Sequence, residues 1–206
     1  MAYPTVSAPY GLKPVNLIGG QVFAGSTRKM RIASGYDTTI GYGDLLVKVN
    51  DGTVARSAAT TAKPTGGFAG VFLGCEYINP STGQLLFSQY FPADTTVTSG
   101  FITAFVCDDP DALFQVAIVS GTTVVTGVQY TSVGENATLV NNAALASTGN
   151  SQVALLATTA TTDSLPVRIV DVVPDTAFVS GGNTFYPEVI VKLNFGMHAY
   201  NTAVGV

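Results

Sequence analysis

The sequence predicts an all-β protein: an antiparallel β-sandwich or partly closed β-barrel preceded by an extended N-terminal arm. Three observations lead there. Short runs of alternating apolar residues recur along the chain, the period-2 signature of half-buried strands. Turn formers separate them, with 22 glycines and 10 prolines in 206 residues. No long 3.6-residue periodicity lies between the runs, and strands without intervening helices pair antiparallel in sandwiches and barrels.

Residues 1 to 20 form the first unit. Pro4, Pro9 and Pro14 stand five apart, with Val6, Tyr10, Leu12, Val15, Leu17 and Ile18 between them. Proline removes a backbone donor and pushes the preceding residue to extended geometry, which excludes a helix. An apolar extended terminus either lies across a partner, by strand addition or groove filling, or packs on its own domain. The sequence leaves both open. In the first case Tyr3, Pro4, Val6, Pro9, Tyr10, Leu12, Pro14, Val15 and Leu17 are the contact residues, and the arm buries little against its own core.

The β domain spans 21 to 206 without a clean linker, with room for an added β region after about residue 100. Its first strands are Met30–Ala33 and Asp44–Val49, the latter returning through the tight turn Asn50-Asp51-Gly52 into Thr53–Ala55. After the small-residue loop Ala58–Gly67 comes Phe68–Ile78, whose alternation puts Ala69, Val71, Leu73, Cys75 and Tyr77 on the buried face. The turn Asn79–Gly83 makes Gln84–Phe91 its hairpin partner. Phe101–Cys107 and Leu113–Val119 follow, joined by Asp108-Asp109-Pro110-Asp111, and Thr123–Val125 and Val128–Tyr130 add short pieces. One brief helix is expected near Leu139–Ala146. Ser151–Leu156, Val167–Val173 and Glu188–Asn194 complete the strands.

Composition narrows the function. Charged residues make up 11% of the chain, against roughly 25% in an average domain, and hydrophobic residues 47%. That balance excludes disorder and coiled coils. A net charge of −4, with nine Lys and Arg read as scattered singly, argues against a nucleic-acid partner. No run is long and apolar enough for a membrane helix, and the first residues do not read as a secretory leader. Cys75 and Cys107 could form one disulfide, but in a chain made in a cytosol they read more readily as buried free thiols.

No residue pattern announces catalysis or a cofactor. His198 is the single histidine, and with two cysteines thirty-two residues apart it makes no zinc set. Near the chain end it reads as partly exposed or hydrogen-bonded. Asp108, Asp109 and Asp111 could converge on a hard cation but lack the glycine and distal glutamate of a calcium loop, so they read as a solvated turn. Gly66-Gly67 and Gly181-Gly182 lack the Lys-Ser/Thr of a phosphate loop. Tyr36 and Tyr42, in the glycine-rich stretch 35–43, mark either a contact loop or a corner packed on the core.

The opening Ala2-Tyr3-Pro4-Thr5-Val6-Ser7-Ala8-Pro9-Tyr10-Gly11-Leu12-Lys13-Pro14-Val15 resembles the start of small virion structural proteins of tailed bacteriophages, marine and cyanobacterial ones especially. Gly41-Tyr42-Gly43-Asp44-Leu45-Leu46-Val47-Lys48-Val49 and Gly70-Val71-Phe72-Leu73-Gly74 look like the β-barrel element of head decoration, or cement, proteins. The resemblance covers roughly the first 90 residues. It implies a non-enzymatic, cofactor-free protein made in the host cytoplasm. Such a protein binds the major capsid protein on the capsid exterior as an oligomer, often a homotrimer, through its terminal arm. A charge-poor surface suits permanent interfaces, which run to roughly 2,000 Å² or more and are apolar at the core. Other virion components remain as alternatives, a capsid or tail-tube subunit, although a shell subunit would need a long helix. A carbohydrate-binding β-sandwich of an adhesin is a third reading, and it would want exposed aromatic platforms; the chain has no tryptophan.

Overall fold

A computed structural model describes residues 8–119, 130–176 and 186–205. The described residues are almost all β, arranged as two six-stranded sheets, each of which closes a ring of five strands. The first ring runs β8 (Ala112–Val119), β10 (Asn150–Ala160), β9 (Asn136–Leu145), β11 (Val167–Val172), β12 (Glu188–Leu193) and back to β8. The second runs β3 (Leu45–Lys48), β4 (Thr53–Arg56), β2 (Arg28–Ile32), β7 (Ile102–Cys107), β5 (Phe68–Ile78) and back to β3. One strand is added to each: β1 (Lys13–Leu17) on β8 and β6 (Leu85–Ser88) on β5. Every pairing is antiparallel except β2–β4 and β8–β10. The all-β sandwich-or-barrel architecture expected from the alternation is the one observed.

Each ring encloses apolar side chains. Phe114, Leu155, Ile169 and Val191 belong to a core that continues into the second ring through Leu45, Phe68, Val71 and Cys107. A separate core of Ile40, Leu46, Phe72, Phe91, Ile102 and Val106 lies within the second ring. Cys75 and Cys107 are both buried free thiols. Burial pushes them up to about 12 and about 11, which keeps them protonated and inert.

β5 sits between these two cores, and its observed pattern differs from the simple alternation. Phe68 and Val71 join the first core, while Ala69, Phe72, Cys75 and Tyr77 join the second. The cause is a pair of bulges. Register shifts fall at Ala69 against β3 and at Leu73 against β7, and each is followed by a glycine at φ +145°. An extra residue switches which face the next side chain meets. Gly70 has no room for anything larger, because a Cβ there would lie 2.3 Å from the Cys107 carbonyl oxygen.

One further expectation is corrected, and one alternative left open is narrowed. The stretch 139–146 is no helix but most of β9, paired antiparallel with β10. Its asparagines, poor strand formers, are held by tertiary contacts: Asn141 Nδ2 donates to the Ser57 carbonyl oxygen at 2.5 Å. The arm does not stand off from the body over its described part. β1 pairs with β8 from Lys13↔Gln115 to Leu17↔Ala112, using the edge that β8 shares with β10 farther along. An apolar Pro-punctuated strand with an unfilled edge in its own chain gains more by pairing there than by waiting in solvent. Thr123–Val125 and Val128–Gln129 lie outside the described residues, and Tyr130 opens the 3-10 turn Tyr130–Ser132.

The two sheets meet along a seam of close backbone approach. Gly11 N donates to the Val153 oxygen and Leu12 N to the Gly43 oxygen, while Tyr42 exchanges hydrogen bonds with Gly149 and Ser151. Gly11 is required there, since its Cβ would fall 2.6 Å from the Ser151 Cβ. At the centre lies Asp44, fully buried. Its carboxylate accepts from Arg56 Nε at 3.0 Å, Gly41 N at 2.7 Å and Ser151 Oγ at 2.6 Å. Arg56 reaches on to Asn141 Oδ1 and the Asn142 carbonyl of β9. The glycine-rich stretch holding Tyr36 and Tyr42 is thus a packed corner.

Candidate functional site

The arm residues expected to make contacts divide three ways. Tyr3, Pro4 and Val6 lie outside the described residues. Pro9, Pro14, Val15 and Leu17 are half-buried, the last three within β1. Tyr10 and Leu12 are buried in the chain's own interior, which removes both from any contact surface. Tyr10 donates its hydroxyl to the buried carboxylate of Glu188, and Lys13 Nζ lies 3.8 Å from the centroid of its ring. Burial, reinforced by Glu188, pushes the Tyr10 phenol far up, so it stays a donor.

His198 is also placed differently from the expectation of partial exposure. It is 1% exposed and forms a bridge to Phe68, the first residue of β5. Nδ1 accepts from Tyr200 N at 3.2 Å, while Nε2 is buried without a partner among the described residues. Burial lowers its pKa, with the pull of Asp108 opposing. The imidazole is therefore neutral and enclosed. The Asp108–Asp111 turn is tied up by cations: Arg28 Nε meets Asp108 at 2.5 Å and Lys192 meets Asp111 at 2.7 Å. Tyr200 donates its hydroxyl to Asp108 at 2.9 Å. No group of three metal-ligating side chains occurs among the described residues.

The surface that remains unspent is the outer face of the second sheet. Residues opposite each other on neighbouring strands share a face, so the register defines a row across four strands: Arg31, Thr103, Glu76, Phe87. Lys29 and Phe105 lie beside it on the next rung, and Leu85 extends it along β6. The row changes character from one side to the other. On the β6 side Leu85 and Phe87 are 60% and 65% exposed, on a strand with one side unpaired among the described residues. On the β2 side Lys29 and Arg31, two residues apart in the basic run Arg28-Lys29-Met30-Arg31, share this face. Lys29 pairs with Glu76 at 2.9 Å, and Arg31 stacks 3.6 Å above the centroid of Phe101.

Beside this basic end runs an open groove of about 690 Å³, bounded by β2, the β3–β4 hairpin, Phe101 and Tyr200. Lys48 enters it from the end of β3, its Nζ 4.7 Å from the Tyr200 ring centroid. Four of the nine basic residues line it, Arg28, Lys29, Arg31 and Lys48, so the cations are clustered and not scattered singly. The run Arg28-Lys29-Met30-Arg31 was a visible signal. Lys48 joins only because β3 and β4 close the ring beside β2. No family model matches the chain, and neither a curated protein nor a solved structure matches it.

Proposed function

We propose that this chain is a non-enzymatic structural component of a tailed-bacteriophage virion, attached to the major capsid protein on the capsid exterior as a homotrimer. The observation that carries the reading is the β5–β6 hairpin, with Leu85 and Phe87 exposed on a strand that pairs only with β5 among the described residues. Monomeric proteins blunt such edges with charge, proline or cover. A strand that keeps them apolar is built to be covered by another protein. The low charge content supports the same reading, since buried charges at a permanent interface must each find a partner. The only histidine is enclosed, and in the acidic turn Asp108 and Asp111 pair with Arg28 and Lys192 while Asp109 caps the turn by accepting from Asp111 N. The contact element in this proposal is the hairpin, with Tyr10 and Leu12 of the arm serving the chain's own fold.

The test is co-sedimentation of the full chain with capsids that lack it. The wild-type chain is expected to pellet with the shells, and the double variant Leu85→Asp, Phe87→Asp to stay in the supernatant while keeping its circular dichroism. Failure of the wild type to bind, or equal binding by the double variant, overturns the reading. Light scattering tests the assembly: a mass of one chain both free and after release from shells would rule out the trimer.

A further inference from the structure

We propose that residues 199–205 form an acid-released strap, latched to the second ring by the uncharged side chain of His198. The burial pattern makes that side chain the anchor. Met197 and His198 are 5% and 1% exposed, and none of residues 199–205 is buried. Met197 is fastened through its backbone, since Phe68 N donates to its carbonyl oxygen at 2.7 Å. Past His198 the ties to the body lie at the surface. Tyr200 donates its hydroxyl to Asp108 at 2.9 Å, and Lys63 Nζ donates to Thr202 Oγ1 at 3.0 Å. Arg28 and Lys48 approach the centroid of the Tyr200 ring to 5.4 and 4.7 Å. Exposed ties of this kind each add little, so the strap stays down while its one enclosed side chain does.

The latch works only with a neutral ring. Nδ1 accepts from Tyr200 N at 3.2 Å and so caps the 3-10 turn Ala199–Asn201. A nitrogen that accepts carries no proton, which places the proton on Nε2. There it is enclosed with no acceptor among the described residues. Acid adds a second proton at Nδ1, and two donors then face each other where the cap was. The new charge also lies beside Phe68, at the start of β5, away from water.

The surrounding charges do not rescue it. Asp108 and Asp109, in the turn between β7 and β8, attract an imidazolium, while Lys48 at the end of β3 and Lys192 on β12 repel it. Asp108 is already shared by Arg28 and the Tyr200 hydroxyl, and Lys192 is paired with Asp111. Loss of water outweighs the attraction, so the closed ring takes its proton below the ordinary 6.5. In an open strap the ring regains water and titrates near 6.5. Acidification from about pH 7.5 to about pH 5 therefore favours opening by up to about thirtyfold. Opening withdraws Tyr200 from the wall of the groove beside β2 and releases Asp108 from its hydroxyl.

The test is amide hydrogen exchange of the full chain, read by NMR over a series from about pH 7.5 to about pH 5 and expressed as protection relative to an unstructured peptide at each pH. In the closed strap Tyr200 N is bonded to His198 Nδ1 and Asn201 N to the His198 carbonyl oxygen. Protection at both is expected to fall at least about tenfold, with the midpoint of the His198 ring titration, while Val189 and Val191 in β12 keep theirs. His198→Asn supplies a capping oxygen that cannot titrate, and should hold the protection of Tyr200 and Asn201 constant across the series. Tyr200→Phe removes the tie to Asp108; it should lower protection at every pH and leave the ratio between the two ends of the series near the wild-type one, which carries the test if the Asn variant does not fold. Unchanged protection in the wild type overturns the proposal. So does an equal fall in folded His198→Asn, a ratio abolished in Tyr200→Phe, or a loss in β12 that accompanies the loss in the strap.

Discussion

The seam between the two rings and the outer face of the second sheet use the same kinds of residue in opposite ways. At the seam, Asp44 and Arg56 are enclosed and each finds hydrogen-bond partners from both sheets. Across the outer face, Arg31 rests on the Phe101 ring with no carboxylate partner among the described residues. Leu12 at the seam is fully buried, whereas Phe87 on β6 is exposed. Residue type does not separate the two regions. The difference is whether the chain itself supplies the complementary surface, and where it does not, an external partner is the natural supplier.

The comparison breaks most decisively at Asp44. Asp44→Ala leaves Arg56 buried without its counterion and frees Ser151 and Gly41, a loss of about 3–5 kcal/mol. Urea unfolding should report it, and a loss under 1 kcal/mol would mean that the seam is not held by its charges. Leu12→Ala comes next, at about 2–5 kcal/mol, because the truncation opens a cavity in the first core. If the N-terminal segment were an arm docked on a partner, the same change would leave the isolated chain's midpoint untouched.

His198 sharpens the comparison through pH. Its ordinary value is 6.5 and burial lowers it in the folded state. Above 6.5 the ring is neutral folded and unfolded, and contributes no pH dependence. As pH falls below that value the unfolded chain takes up a proton that the folded chain refuses, so stability drops towards the depressed folded value. Urea midpoints at about pH 7.5 and about pH 5.5 should diverge in the wild type and converge partly in His198→Leu. Equal slopes in the two proteins would show that the ring is accessible to protons when folded. The smallest effect is expected on the outer face. Leu85→Ser and Phe87→Ser should shift stability by less than about 0.5 kcal/mol, since both side chains are exposed. A larger loss would show that β6 serves the chain's own fold.

The β1 segment illustrates how far the sequence could be read. Pro4, Pro9 and Pro14 made it extended, and it is extended over its described part. Whether it met a partner or its own domain depended on β8 offering a free edge beside β10, a consequence of strand order that no local pattern encodes. Asn141 and Asn142 misled in the same way, because their strand role rests on Ser57 and Arg56, more than eighty residues away in sequence. The basic run beside β2 was legible as a run, yet its pairing with Lys48 required the closed ring.

What the sequence by itself determined is the class of structure: period-2 alternation and glycine-rich turns admit strands and exclude long helices, because each strand must bury one face and reverse within a few residues. The turn at Asn50-Asp51-Gly52 and the full extent of Phe68–Ile78 follow from those local rules. Tertiary structure decided which faces are buried and which stay free. Two bulges reassigned the faces of β5, ring closure brought Lys48 to the groove beside β2, the seam consumed Asp44, and the start of β5 enclosed His198. The physical reason is that burial and charge pairing are properties of surfaces meeting in space. The sequence fixes the surfaces each strand can offer, and only the order in which the strands close settles which of them meet.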